Sequence, residues 1–87
     1  MKKNKISKNW INKQRRDIYV RKSKIEGYRS RAVYKLEEIN NKIKFLKNGL
    51  SVVDLGAAPG SWSQYMSKNY KKMRILAIDL KKIDKID

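Results

Sequence analysis

Apolar and polar positions change rhythm several times along the chain, and each change marks an element. In residues 1–28, Trp10, Ile11, Ile18, Tyr19 and Val20 are scattered among Lys13, Arg15, Arg16, Arg21 and Lys22, a pattern of an arm rather than a core. From Ser30 to about Leu46, Val33, Leu36, Ile39, Ile43 and Leu46 recur at steps of three and four, the period of an amphipathic helix. Asn48-Gly49 then supplies a stop signal. Ser51-Val52-Val53-Asp54-Leu55, a short β-branched run between glycines, predicts a buried parallel strand. After the turn Gly56–Gly60, Trp62, Tyr65 and Met66 fall on one side of a helix from Ser61 to about Asn69, and Arg74–Asp79 reads as a second strand.

Strand, glycine turn, helix and strand make the opening βαβ unit of a doubly wound α/β sheet, with a right-handed crossover expected. The 87 residues are too few for five strands and their helices. The expected organisation is therefore a basic arm over 1–28, followed over 29–87 by an amphipathic helix and the first, incomplete part of a Rossmann-like domain. One crossover helix cannot cover both faces of two strands, so marginal stability and aggregation are expected of the isolated chain.

Charge changes the picture of the arm. Lysine and arginine number 23 against 8 acidic residues, a formal +15. Residues 1–48 hold 16 of the basic and 4 of the acidic side chains, leaving 7 and 4 for the rest. Such a footprint suits a polyanion, and interleaved aromatics can stack on unpaired bases, which points to single-stranded or looped RNA. Lysine- and isoleucine-rich composition also arises from biased coding, a reading that assigns no partner. No apolar run approaches the ~18 residues of a membrane span, and the expected location is the cytoplasm. Without cysteine or histidine there is no disulfide, no thiolate nucleophile, no sulfur- or imidazole-bound zinc and no serine–histidine triad. No carboxylate cluster has ligand spacing, and no metal site is expected.

The candidate chemistry sits at Asp54-Leu55-Gly56-Ala57-Ala58-Pro59-Gly60, where a strand hands over to a helix and a nucleotide-like ligand can approach backbone. Asp79 closes the second strand nineteen residues after Gly60, a spacing that suits a carboxylate accepting ribose hydroxyls. The G-x-G-x-x-G of pyrophosphate cradles is absent, and a G-x-x-x-G turn suits S-adenosylmethionine better than NAD. Taken singly, Gly56 and Gly60 fit a plain tight turn, Trp62 a core aromatic, and Asp54 either a ligand contact or a brace for the turn. Lys35 borders the apolar stripe, with Glu38 three residues on, and by periodicity alone reads as a surface ion pair worth ~0.3 kcal/mol.

Arg29 to Ile39, RSRAVYKLEEI, followed by Val52 to Gln64, VVDLGAAPGSWSQ, closely resembles the FtsJ (RrmJ) family of ribosomal RNA 2′-O-ribose methyltransferases. Both motifs stand in the family's order and separation, and the likeness runs from about Tyr19 to Asp84. The resemblance implies S-adenosylmethionine as cofactor, with Gly60 and Trp62 near its methionine and sulfonium end, Asp79 near its ribose, and Gly56 in the same turn. It also implies Lys35 as the first lysine of a Lys-Asp-Lys-Glu catalytic set, whose other members have no counterpart before Asp87. Serine replaces a frequent second glycine at Ser61, and asparagine a frequent proline at Asn48.

The implied reaction moves the sulfonium methyl to a ribose 2′-oxygen, a uridine's, in large-subunit ribosomal RNA, without metal and as a monomer when complete. Arg29, Arg31 and the basic arm would contact the RNA, and Lys35 would orient the acceptor nucleotide. The hemolysin-like branch of methyltransferases is a second enzyme reading, against which the GAAPGSWSQ run argues. An inactive small basic RNA-binding protein is the reading without catalysis.

Overall fold

The computed structural model describes residues 2–86, with side chains from residue 8 onward. The first residue of the expected arm and the last of the expected second segment lie outside the described residues. The order is α1 (Lys2–Glu26), α2 (Val33–Ile43), β1 (Ser51–Leu55), α3 (Ser61–Asn69) and β2 (Arg74–Ile78).

The basic segment is a helix of 25 residues. Lysine, arginine and glutamine are good helix formers, and neither proline nor glycine interrupts them before Gly27. The helix ends where Gly27 takes φ +81°, a conformation costly for a residue with a Cβ. Tyr28 N–H then donates to the Ser23 carbonyl at 2.8 Å and Gly27 N–H to that of Lys24 at 3.4 Å, a Schellman arrangement. Trp10, Ile11, Ile18, Tyr19 and Ile25 stay exposed along it.

The amphipathic helix is shorter than its periodicity predicts. Lys44 turns left-handed at φ 55°, and its N–H donates to the Asn40 carbonyl at 2.7 Å. Buried Asn40 also accepts from Leu46 N–H at 3.0 Å and donates to the Tyr70 hydroxyl at 3.0 Å. Asn40 therefore reverses the chain well before Asn48-Gly49. Leu46 reaches the core from a loop, and Ile43 is left 68% exposed although it belongs to the periodic stripe.

The βαβ unit matches its expected bounds, except that β2 ends at Ile78, one residue before Asp79. The strands are parallel, pairing Ser51 with Arg74, Val53 with Leu76 and Leu55 with Ile78. On one face Leu36, Leu46, Met66 and Met73 form the core, with Val52, Ile75 and Trp62 packed on it. On the other face Val53, Leu55, Leu76 and Ile78 are exposed. The apolar run of β1 thus belongs to a strand covered on one side only, which corrects its reading as a buried strand. No described helix is long and apolar enough to cross a membrane.

Candidate functional site around the glycine turn

The backbone leaves β1 at Leu55 and enters α3 at Ser61, and four of the five residues between them, Gly56 to Pro59, form the edge of a cavity of about 280 Å³. Ser30, Ala32, Asp54, Gly56, Ala58 and Trp62 contribute to its lining. A ligand here lies outside the carboxyl end of a parallel strand, where open α/β sheets bind theirs.

The two glycines do different work. Gly56 adopts φ +67°, and a Cβ built on it would meet nothing within 4 Å, so its missing side chain leaves space beside the turn. Gly60 adopts φ +114° at the N-cap of α3 and is buried; a Cβ there would stand 3.1 Å from Arg29 Nη1 and 3.2 Å from Ile86 Cδ1. Protein atoms already fill the space that Gly60 leaves.

Two carboxylates, Asp54 of β1 and Asp79 just after β2, brace the turn and the helix that follows it. Asp79 Oδ2 accepts the Ala58 N–H at 2.9 Å and Oδ1 the Lys81 N–H at 2.8 Å. These amides, Lys81 first and then Ala58, hold the Asp79 carboxyl below its ordinary range. Buried Asp54 accepts the Ser63 hydroxyl at 2.7 Å, fixing the first turn of α3 to the end of β1. Asp54 therefore both lines the cavity and bonds α3.

The linker between α1 and α2 closes the cavity's other side. Ser30 and Ser61 share a hydroxyl hydrogen bond of 2.8 Å, and Trp62 Nε1–H donates to the Ala32 carbonyl at 2.7 Å. Trp62 thereby joins core packing and cavity wall, the two roles its sequence position left open.

Of the expected residues, Gly56 and Trp62 lie on the cavity, while Gly60 and Asp79 shape the turn without lining it. Lys35 and Arg31 share a neighbouring cleft with Tyr19, Tyr34 and Glu38, and Ala32 belongs to both clefts. Lys35 Nζ stands 3.9 Å from Glu38 in an exposed pair. The Arg29 guanidinium is bonded to backbone carbonyls of Pro59, Asp84 and Lys85.

Above the second cleft, Tyr34 stacks on Tyr19 of α1 at 5.4 Å, donates to Glu26, and carries Lys22 over its ring at 4.7 Å. Burial first, and then the bond to Glu26, push its hydroxyl pKa well above the ordinary tyrosine value. Sequence reading missed Ser30, Ser61, Ser63 and Gln64. Ser61, Ser63 and Gln64 share the first turn of α3, which was their one signal, and Ser30 had none. Among the described residues no group of histidine, cysteine or carboxylate side chains could hold a metal ion.

Residues 28–87 match the FtsJ-like methyltransferase family. The chain is 63% identical, over its whole length and 43% of the relative's, to Ribosomal RNA large subunit methyltransferase E of Pelagibacter ubique (strain HTCC1062). The proteins of the same name from Legionella pneumophila (strain Corby) and Rickettsia bellii (strain RML369-C) are 51% and 50% identical over 97% and 92% of this chain, and 41% and 38% of their own. The chain thus spans about two fifths of the curated relatives it matches. With β1, the glycine turn and α3 all inside the matched span, the chain belongs to the FtsJ-like methyltransferase family.

Proposed function

We propose that these residues form the cofactor-binding part of an enzyme that transfers a methyl group from S-adenosylmethionine to a ribose 2′-hydroxyl, a uridine's, in large-subunit ribosomal RNA. The observation that carries the reading is the cavity at the carboxyl end of β1, edged by the open Gly56 turn and walled by Trp62. Its volume of about 280 Å³ falls just below the roughly 300–1,000 Å³ usual for small-molecule sites. S-adenosylmethionine would bring an activated methyl on a sulfonium, and no metal is needed for its transfer.

Gly56 and Trp62 border the cofactor, and Gly60 sets the entry into α3 beside its methionine end. Asp79 has each carboxylate oxygen on one backbone amide. Each oxygen keeps a further acceptor site for a ribose hydroxyl. Lys35, released from a weak exposed pair with Glu38, orients the acceptor nucleotide across Ala32, with Arg31 beside it. The basic face of α1 attracts the RNA, and the names of the matched relatives support ribosomal RNA as that partner. The enzyme acts in the cytoplasm as a monomer.

The test uses the protein expressed from its complete reading frame. S-adenosylmethionine titrated calorimetrically should bind, and Asp79→Ala should weaken it by about tenfold or more, the order of one lost charge-assisted bond. Lys35→Ala should lower methyl transfer to large-subunit RNA by about a hundredfold while cofactor affinity holds, as loss of orientation does. RNA binding with no cofactor binding would sink the enzyme reading in favour of a basic RNA-binding protein.

A further inference from the structure

Arg29 stands in the linker between α1 and α2, and its guanidinium bonds run to backbone carbonyls distant in the chain. Nη1 donates to the Pro59 carbonyl at 3.0 Å and the Asp84 carbonyl at 2.7 Å, and Nη2 to the Lys85 carbonyl at 2.5 Å. Its backbone N–H donates to Gln64 Oε1 at 2.8 Å, and the Gln64 amide reaches back to the Gly27 carbonyl at 3.4 Å. One residue therefore ties three separate stretches: the linker, the glycine turn with the start of α3, and the segment after β2.

Those carbonyls belong to the glycine turn and to the segment after β2. Pro59 precedes Gly60, the N-cap of α3, which has no side-chain cap. Asp84 and Lys85 lie in an extended stretch without regular structure after Asp79. A planar guanidinium carries five donors in a fixed fork, so it can hold carbonyls from two directions at once, which an ammonium on a flexible stem does poorly. The same guanidinium sits 3.1 Å from where a Gly60 Cβ would be, so glycine at 60 and arginine at 29 form one fitted unit.

We propose that Arg29 is a positioning residue for the cofactor turn, a strap that holds Pro59–Gly60 and the 79–86 segment in register, and not an RNA phosphate contact. The inference rests on the reading of this turn as the S-adenosylmethionine site. It assigns the two arginines of the Arg29-Ser30-Arg31 motif opposite tasks. Arg29 serves the cofactor side, while exposed Arg31, in the cleft with Lys35, faces the RNA side.

The test compares Arg29→Ala, Arg29→Lys and Arg31→Ala in the protein from the complete reading frame, well below each variant's melting temperature. S-adenosylmethionine affinity should fall about tenfold in Arg29→Ala and be only partly restored in Arg29→Lys, the order of one charge-assisted bond. The dependence of RNA affinity on salt should stay as in the wild type. Arg31→Ala should do the reverse, leaving the cofactor affinity and reducing the salt slope by about 1. A reduced salt slope in Arg29→Ala, or unchanged cofactor affinity beside a lowered melting temperature, overturns the strap. A wild type that binds no S-adenosylmethionine fails earlier, and defeats the cofactor reading itself.

Discussion

The chain contains two regions built on different principles. Helix α1 is basic, solvated and held to the rest through Tyr19, Lys22 and Glu26 around Tyr34. The glycine turn and the first residues of α3 carry little charge but are bound from several directions: Asp79 and Arg29 hold the turn, and Asp54, Ser30 and Ala32 hold the start of α3. Under the proposed function, the contrast separates two requirements of an enzyme acting on a polyanion. Attraction needs only charge displayed in water, which tolerates loose attachment and is weakened by salt. Holding a cofactor needs backbone fixed to fractions of an ångström, which only directional bonds supply.

The largest expected effect breaks the two regions apart. Replacing Lys13, Arg15, Arg16, Arg21 and Lys24 by glutamine preserves good helix formers but removes five charges from α1. RNA affinity should fall by roughly 10²- to 10³-fold at low salt, with the salt slope reduced by up to about 5 if each cation meets a phosphate. S-adenosylmethionine affinity, read by calorimetry, should not move. A matching loss of cofactor affinity would show that α1 supports the turn and that the division is wrong.

The same division explains what could be read beforehand. β1 and α3 were legible to the residue, because a β-branched run, a glycine turn and a Trp62/Tyr65/Met66 stripe are local signals that the fold does not override. The end of α2 was not, since Asn40 reverses the chain through bonds to Lys44, Leu46 and Tyr70 that no hydrophobic period records. Charge pointed to a contact region over 1–28 but gave no sign of a helix, for α1 buries no apolar stripe that would show the 3.6 period. At the site, Gly56 and Trp62 stood out by type and spacing, and the structure brings both to the cavity. Arg29 looked like any other cation of a basic segment, and only the approach of residues 30 and 55 positions away distinguishes it.

A smaller effect sharpens the comparison inside the turn. Gly60→Ala meets both φ +114° and the Arg29 guanidinium at 3.1 Å, whereas Gly56→Ala meets only φ +67° with open space around it. The first should cost about 1–3 kcal/mol of stability and the second about 1 kcal/mol. Urea denaturation of the two variants checks the order. Equal losses would mean that the strap yields to a methyl group, and that Gly60 is needed for its backbone angle alone.

The smallest effect is a dependence on pH. Both Asp79 oxygens accept backbone amides, and its carboxyl is held below the ordinary 3.8 by Lys81 first and Ala58 second. A carboxyl depressed in the folded state adds stability that is fully present above its unfolded pKa and is lost as pH falls through its folded value. The gap in urea midpoint between wild type and Asp79→Asn should therefore be constant from neutral pH down to about 5 and shrink below the ordinary carboxylate range. The substituted side-chain amide offers one acceptor oxygen to two backbone amides, so one bond of the brace is lost with the charge; at this exposed site the change should stay modest. Removing charge from α1 lowers repulsion among its cations without touching this carboxylate, so the glutamine variant should show the same shrinking gap. A gap that vanished in that variant would mean that the low carboxyl pKa reflects the positive field of α1 rather than the two amides that hold it.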